Sequence, residues 1–144
     1  MRVHQILKSK NSVDVFTVLP EISISQAAAV LAQHRIGSVV VSADGKTALG
    51  ILSERDIVRE LAGSGAECLT RPVADYMTKG LVTASTDMTA DDVLQQMTDG
   101  RFRHMPVVEN GVMVGLITLG DVVKARLSQL SMEKDALEGM IMGH

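Results

Sequence analysis

Aromatic side chains are nearly missing from this chain, whose 144 residues include two Phe, one Tyr and no Trp. Proteins that hold single strands of nucleic acid stack bases on such rings, so that class is a poor match. Cysteine is also scarce: Cys68 stands alone and has no internal disulfide partner, in keeping with a reducing compartment. No basic block interrupts a chain of net charge −3, so the electrostatic footprint of a DNA or anionic-membrane binder is missing. Long hydrophobic runs are lacking too. The opening Met1-Arg2-Val3-His4-Gln5-Ile6-Leu7-Lys8 reaches Lys before any apolar stretch of signal-peptide length, and no later run approaches a membrane span. A cytoplasmic location is expected. The histidines at 4, 34, 104 and 144 show no ligand spacing, no Gly-rich loop precedes a Lys, and no motif pairs a nucleophile with a base. No metal and no catalytic residue is therefore expected.

What the chain does have is aliphatic mass. Hydrophobic residues make up 46%, enough for a core of Val, Ile, Leu, Ala and Met. At this length it is either one ordinary domain or two half-size units, each too small to bury enough apolar surface alone.

An internal repeat decides between these. A shift of 66 residues lays Thr17 on Thr83, Ser23 on Thr89, Ile36 on Phe102, Val41 on Val107 and Asp44-Gly45 on Asn110-Gly111. One residue is then lost, and a shift of 65 lays Gly50 on Gly115, Ser53 on Thr118 and Asp56 on Asp121. The result is an α/β (α+β) fold of two tandem β-α-β-β-α repeats. Repeat one is expected over 1–62, a linker over 63–72, repeat two over 73–127 and a helical extension over 128–144.

Local signals place the elements. Val13 to Val18 and Leu81 to Ala84 read as short first strands. Ser23-Ile24-Ser25-Gln26 is a capping box, with Thr89-Ala90-Asp91-Asp92 its near equivalent, so helices begin at both. Ala27, Val30 and Leu31 in one helix and Val93, Leu94 and Met97 in the other recur at helical spacing. Asp44-Gly45 and Asn110-Gly111 follow apolar strands and predict β-hairpins. Pro106 predicts an edge strand. Ala62 to Pro72 reads as a loop and the chief flexible segment. Val73 to Lys79 echoes Val3 to Lys8, so each repeat is led by a short helix. After Asp121 the final helix runs long, with Val123, Leu127, Leu130, Leu137 and Ile141 on one stripe once Lys134 is admitted to the series. Packing against a second copy is the expected use of that stripe.

The chemistry is concentrated where each repeat closes, at Gly50-Ile51-Leu52-Ser53-Glu54-Arg55-Asp56 and Gly115-Leu116-Ile117-Thr118-Leu119-Gly120-Asp121. An apolar strand ends in a hydroxyl residue, and an acid follows at the mouth of a helix. That pair offers one neutral and one charged acceptor to a diol, since an ionised carboxylate has two acceptor oxygens and charge-assisted hydrogen bonds are the strong ones. Arg55, Arg103 and His104 are the nearest cations in sequence for a phosphate, and His104 would add pH dependence there.

This repeated unit, with its h-G-h-h-[Ser/Thr]-x-x-Asp ending and Met-Thr at the join, resembles the tandem CBS domain pair known as a Bateman module. The resemblance covers residues 1 to about 127. It implies two repeats packed about a pseudo-twofold axis, leaving two clefts for adenosine-containing ligands such as AMP, ADP or ATP, or S-adenosylmethionine. It also implies that Asp56 and Asp121 bind ribose and that Ser53 and Thr118 are their hydroxyl partners. Thr17 and Thr83 would face adenine or ribose, and Val18, Val40, Ala84 and Pro106 would sandwich the base. Gly120 replaces Arg55 in the second copy, so the two clefts are expected to differ in affinity. A homodimeric, non-enzymatic sensor acting on a separate, unidentified protein follows from the resemblance, with no resident cofactor.

Plainer roles exist for each of these residues. Asp56 and Asp121 suit helix N-caps, Ser53 and Thr118 are at home at strand ends, Thr17 and Thr83 are ordinary strand residues, and the Arg and His side chains suit a solvated surface. On that reading the clefts are vestigial and the module only holds proteins together. An enzyme acting on nucleotides is a third reading, without a motif to carry it.

Overall fold

The structure, a computed structural model, describes residues 1–10 and 15–141. Val13 and His144, named above, lie outside the described residues. In chain order the elements are α1 (Val3–Ser9), β1 (Thr17–Val18), α2 (Ile24–His34), β2 (Ser38–Val41), β3 (Gly50–Ser53), α3 (Glu54–Ser64), α4 (Ala90–Gly100), β4 (His104–Glu109), β5 (Val112–Thr118) and α5 (Leu119–Ile141). Short 3-10 turns occupy Gly65–Thr70 and Val73–Asp75.

One local device starts four helices. Ser23 Oγ accepts from the Gln26 amide at 3.1 Å while Gln26 Oε1 accepts from the Ser23 amide at 2.9 Å. Thr89 and Asp92 make the same exchange at 3.1 and 3.3 Å. Ser53 with Asp56 and Thr118 with Asp121 repeat it at the starts of α3 and α5. Each exchange satisfies two amides that the first helical turn would leave without partners. Helices α2 and α4 also end alike, on Arg35 and Arg101 with φ of 54° and 57°. The following Ile36 and Phe102 amides reach back to Leu31 O and Met97 O, a left-handed stop that more often uses glycine.

The chain divides into two compact units, here called after their acids. The Asp56 unit holds β1, α2, β2, β3, α3 and the chain onward to Val82, with residues 110–114. Its core gathers Val18, Ile24, Ala27, Leu31, Val39, Val41, Leu52, Ile57 and Val73. The Asp121 unit holds α1, Thr83–Glu109 and the chain from Gly115 onward. Its core contains Ala84, Val93, Met97, Met105, Val107, Ile117 and Val122 together with Val3 and Ile6 of α1. Each leading segment thus packs in the unit of the other repeat's strands. The second one is only a 3-10 turn, tied by the Val73 amide to Ile22 O at 2.8 Å.

The glycine of each repeat motif has its reason in that packing. A Cβ on Gly50 would stand 2.6 Å from Met77 Sδ and 2.9 Å from Thr78 O, and one on Gly115 would stand 2.9 Å from Leu7 Cδ2. Met77 and Leu7 are equivalent residues of the two leading segments.

The sheets differ between units. In the Asp56 unit β1 pairs parallel with β2, which pairs antiparallel with β3. The Val40 amide donates to Phe16 O at 3.1 Å and the Ser42 amide to Val18 O at 2.9 Å. Pro106 stands at the position of Val40 and has no amide hydrogen, so the first of these bonds is absent from the second copy. What remains is a single bridge between Ala84 and Val107, leaving a two-stranded β4-β5 sheet of which β4 is one edge. The expected strand over Leu81 to Ala84 is reduced to that bridge.

The hairpins differ too. Asn110 and Gly111, with φ of 52° and 77°, form the expected two-residue turn between β4 and β5. Asp44-Gly45 instead lies in the longer connection between β2 and β3. There Asp44 Oδ1 accepts from the Lys46 and Thr47 amides, each at 2.8 Å. The stretch Ala62 to Pro72, expected as a flexible loop, is a correction: the end of α3 and a 3-10 helix fill it, and Cys68 is fully buried. Ala, Gly and Ser fill its first five positions, but Cys68 and Leu69 supply apolar anchors that hold it down.

Candidate functional site

Strand alternation sorts the expected site residues. Residues paired across a sheet share a face, and successive residues alternate between faces. Thr17, Val40 and Ile51 form one row and Ser38 and Ser53 the next, all on one face. Val18, Val39, Val41 and Leu52 occupy the opposite face, in the core with the helices. Thr17, Val40 and Ser53 therefore come together, while Val18 points away from them. The second copy follows suit. Ala84, Met105, Val107 and Ile117 are core residues, so alternation puts Pro106 and Thr118 on the other face, with exposed Thr83 next to the bridge residue. Ala84, like Val18, turns inward.

The two acids are built almost identically at short range. Asp56 Oδ2 accepts from the Ser53 amide at 2.9 Å and the Ser53 hydroxyl at 3.0 Å, while the Asp56 amide donates back to Ser53 Oγ at 3.2 Å. Asp121 Oδ2 accepts from the Thr118 amide at 2.9 Å, and the Asp121 amide returns to Thr118 Oγ1 at 3.2 Å. Each acid is the carboxylate partner in a capping box whose cap is Ser53 or Thr118. In both cases the bonds converge on Oδ2.

The next contacts differ. Arg59, one turn along the same helix, approaches Asp56 Oδ1 at 3.4 Å, and the Asp56 side chain is only 9% exposed. Asp121 is met by Lys10 from the chain just after α1, whose Nζ lies 2.9 Å from Oδ2 and also 2.9 Å from Leu116 O. The Asp121 side chain is 21% exposed, and its bond from the Thr118 amide and its ion pair with Lys10 both fall on Oδ2. Lys10 was not anticipated, because nothing local links it to an acid so far along the chain. Arg59 lies one helical turn from Asp56, a spacing legible in the sequence.

The expected phosphate cations are scattered more loosely. Arg55 and Arg103 are exposed, and Arg103 acts here through its backbone carbonyl, which accepts from the Leu119 amide at 2.9 Å. His104 is half-buried at the start of β4 and has an interaction of its own. An open groove of about 440 Å³ lies elsewhere in the Asp56 unit, between α2 and α3. Leu31, Ile36, Ile57 and Val58 line it, with Arg35 and Glu54, and none of Thr17, Val40, Ser53 or Asp56 does. Chemically, each site offers a carboxylate and a hydroxyl fixed at a strand end with a cation close by. That is equipment for holding a polyol.

Among the described residues no group of three His, Cys, Asp or Glu side chains is placed to hold a metal, and no helix is long and apolar enough to cross a membrane.

Comparisons with known proteins agree with the repeat. The family model of the CBS domain matches residues 6–63 and again residues 73–128. The chain is 31% identical over 125 residues to the CBS domain-containing protein YhcV of Bacillus subtilis, covering 87% of this chain and 88% of that one. Among solved structures, the CBS-domain containing protein ATU1752 from Agrobacterium tumefaciens has a TM-score of 0.82 at 48% identity, covering 88% of this chain and 99% of the other. The CBS domain pair of protein MJ0100, in complex with 5′-methylthioadenosine and S-adenosyl-L-methionine, has a TM-score of 0.77 at 26% identity, with 90% and 98% covered.

Proposed function

Since the chain belongs to the CBS-domain family, with two copies of the domain, we propose that it is a non-catalytic regulatory module that binds adenosine-containing ligands and acts on a separate protein. The observation that carries this reading is the duplicated hydroxyl–carboxylate pair, held by the same bonds at the same strand-to-helix junction in both units. Ligation of two adenosyl compounds by the MJ0100 pair supports the ligand class.

In the proposed complex the ribose hydroxyls donate to Asp121 Oδ1 and Asp56 Oδ1, leaving the capping bonds through Oδ2 in place. Thr17 and Thr83 contact the nucleoside, Val40 and Pro106 cover the base, and Ser53 and Thr118 fix the acids. Arg55, Arg103 and Lys10 are the cations proposed to meet phosphates. Adenine nucleotides (AMP, ADP or ATP) are the first candidates and S-adenosylmethionine the second. The protein is proposed to work in the cytoplasm as a homodimer. Regulation requires that the ligand prefer one conformation of the module over another.

Isothermal titration with AMP, ATP and S-adenosylmethionine tests the proposal. Binding that weakens at least about tenfold in Asp121→Asn or Asp56→Asn supports it, because a lost charge-assisted hydrogen bond is worth roughly that much. A second reading, a structural module without ligand, is favoured by the fact that both acids are already engaged in capping boxes and in ion pairs. The absence of heat with any of these ligands would support it.

A further inference from the structure

The best-defined unpartnered surface is on α5. Its only buried residues are Val122 and Ala125, near its start, and the Arg126–Asp91 ion pair at 3.2 Å lies just beyond them. From there to Ile141 the helix presents Leu127, Leu130, Leu137 and Ile141 with exposures of 62%, 46%, 59% and 84%. A helix without tertiary packing is marginal in water, and apolar side chains on a lone helix gain nothing from staying exposed. Covering this face is therefore favourable.

The spacing says what kind of partner. Residues 123, 127, 130, 134, 137 and 141 alternate in steps of four and three, the seam of a left-handed two-helix coil. A seam of this kind is self-complementary, and the charges select an orientation. In a parallel pair Lys134 would meet Lys134 of the second copy inside the seam, and each Glu133 would meet Glu138 across the rim, both like-charged. In an antiparallel pair Val123 meets Ile141, Leu127 meets Leu137, and Leu130 meets the aliphatic stem of Lys134, whose ammonium extends to water. Lys124 then faces Glu138, opposite in sign, twice per dimer. The one like-charged contact left is Glu133 with its own copy at the solvated rim, where repulsion is weakest.

We propose that α5 pairs antiparallel with α5 of a second copy of this chain through the stripe from Val123 to Ile141. This deepens the homodimer part of the proposed function and is independent of its ligand part. Association is measured without nucleotide, so failure here leaves the binding titrations to be judged separately.

Light scattering of the full chain across a range of concentrations, with Leu127→Glu and Leu137→Glu beside it, provides the test. Both positions lie outside the two cores, so a retained cooperative thermal transition shows that the compact units stay folded even if the freed end of α5 loses helicity. The expected result is a mass that halves in each variant, through a Kd raised more than about tenfold, and tighter association in Lys134→Leu. A mass unchanged by either Glu substitution overturns the proposal. Orientation is read from Leu127→Cys and Leu137→Cys, which leave Cys68 buried. Mixed under oxidised glutathione, the two variants cross-link to each other, while each alone does not. Cross-linking of each variant with itself, or none in the mixture, contradicts the antiparallel seam.

Discussion

The Asp56 and Asp121 units carry the same junction in different surroundings. The strand end, the hydroxyl, the cap and the packed glycine recur almost bond for bond. The rims have diverged: Asp56 is deep and neighboured by an arginine from its own helix, whereas Asp121 is more open and neighboured by a lysine from the leading segment. Even the sheets differ, because one proline removes the amide that extends the first strand's pairing. The features that recur fold the junction. Those that vary are the ones a ligand would meet, so two sites of unequal affinity are the natural expectation.

The core tests how far the equivalence extends. Leu52 and Ile117 occupy matching strand positions and are both fully buried. Alanine at either is expected to cost about 2–5 kcal/mol by chemical denaturation, with similar values for both. A negligible cost at one would break the comparison at its root.

Next come the motif glycines. Alanine at Gly50 would press on the backbone oxygen of Thr78, while alanine at Gly115 would press only on the mobile end of Leu7. Gly50→Ala should lose about 1–3 kcal/mol and Gly115→Ala clearly less, since overpacking costs most where the neighbour cannot move. Equal losses would mean that the two leading segments are held alike.

A smaller effect separates the ion pairs. Lys10 is anchored twice, to Asp121 and to Leu116 O, and is partly buried, whereas Arg59 is largely exposed. Lys10→Met is expected to cost up to about 1 kcal/mol and Arg59→Met a few tenths, both decreasing with added salt. Thermal melts at two ionic strengths would show it.

The smallest effect is in the turns. The Thr47 and Lys46 amides hold the Asp44 carboxyl below the usual carboxylate range, and the Ser85 hydroxyl does the same for Asp87. Both groups are exposed, and their folded values lie below the unfolded one. Their contribution is therefore present above the ordinary carboxylate value and lost as the pH falls through the depressed values. Titration by NMR should show both midpoints below those of unstructured peptides, and Ser85→Ala should raise only that of Asp87.

What could be read from sequence was local. The boxes at Ser23 and Thr89 and the Asn110-Gly111 turn depend on residues within one turn of each other, so their spacing was sufficient. The hydroxyl-to-acid spacing at Asp56 and Asp121 was legible as a repeated pattern, but its bonds make Ser53 and Thr118 the caps and the acids their partners three residues on. Strand alternation could have separated Val18 from Thr17 and Ala84 from Thr83, since neighbours in a strand cannot face the same way. The destinations of the leading segments could not be read, because both units offer them an equivalent glycine. Lys10 was invisible for a related reason: its partners, Leu116 and Asp121, are close only in the fold.

The central claim is that these carboxylates hold a ribose. Comparing the affinities of AMP and 2′-deoxy-AMP for the unmodified chain by isothermal titration tests it most directly. Loss of one hydroxyl to carboxylate hydrogen bond predicts AMP tighter by about tenfold or more. Equal affinity of the two nucleotides, or binding of neither by a chain that also fails to bind S-adenosylmethionine, would contradict it.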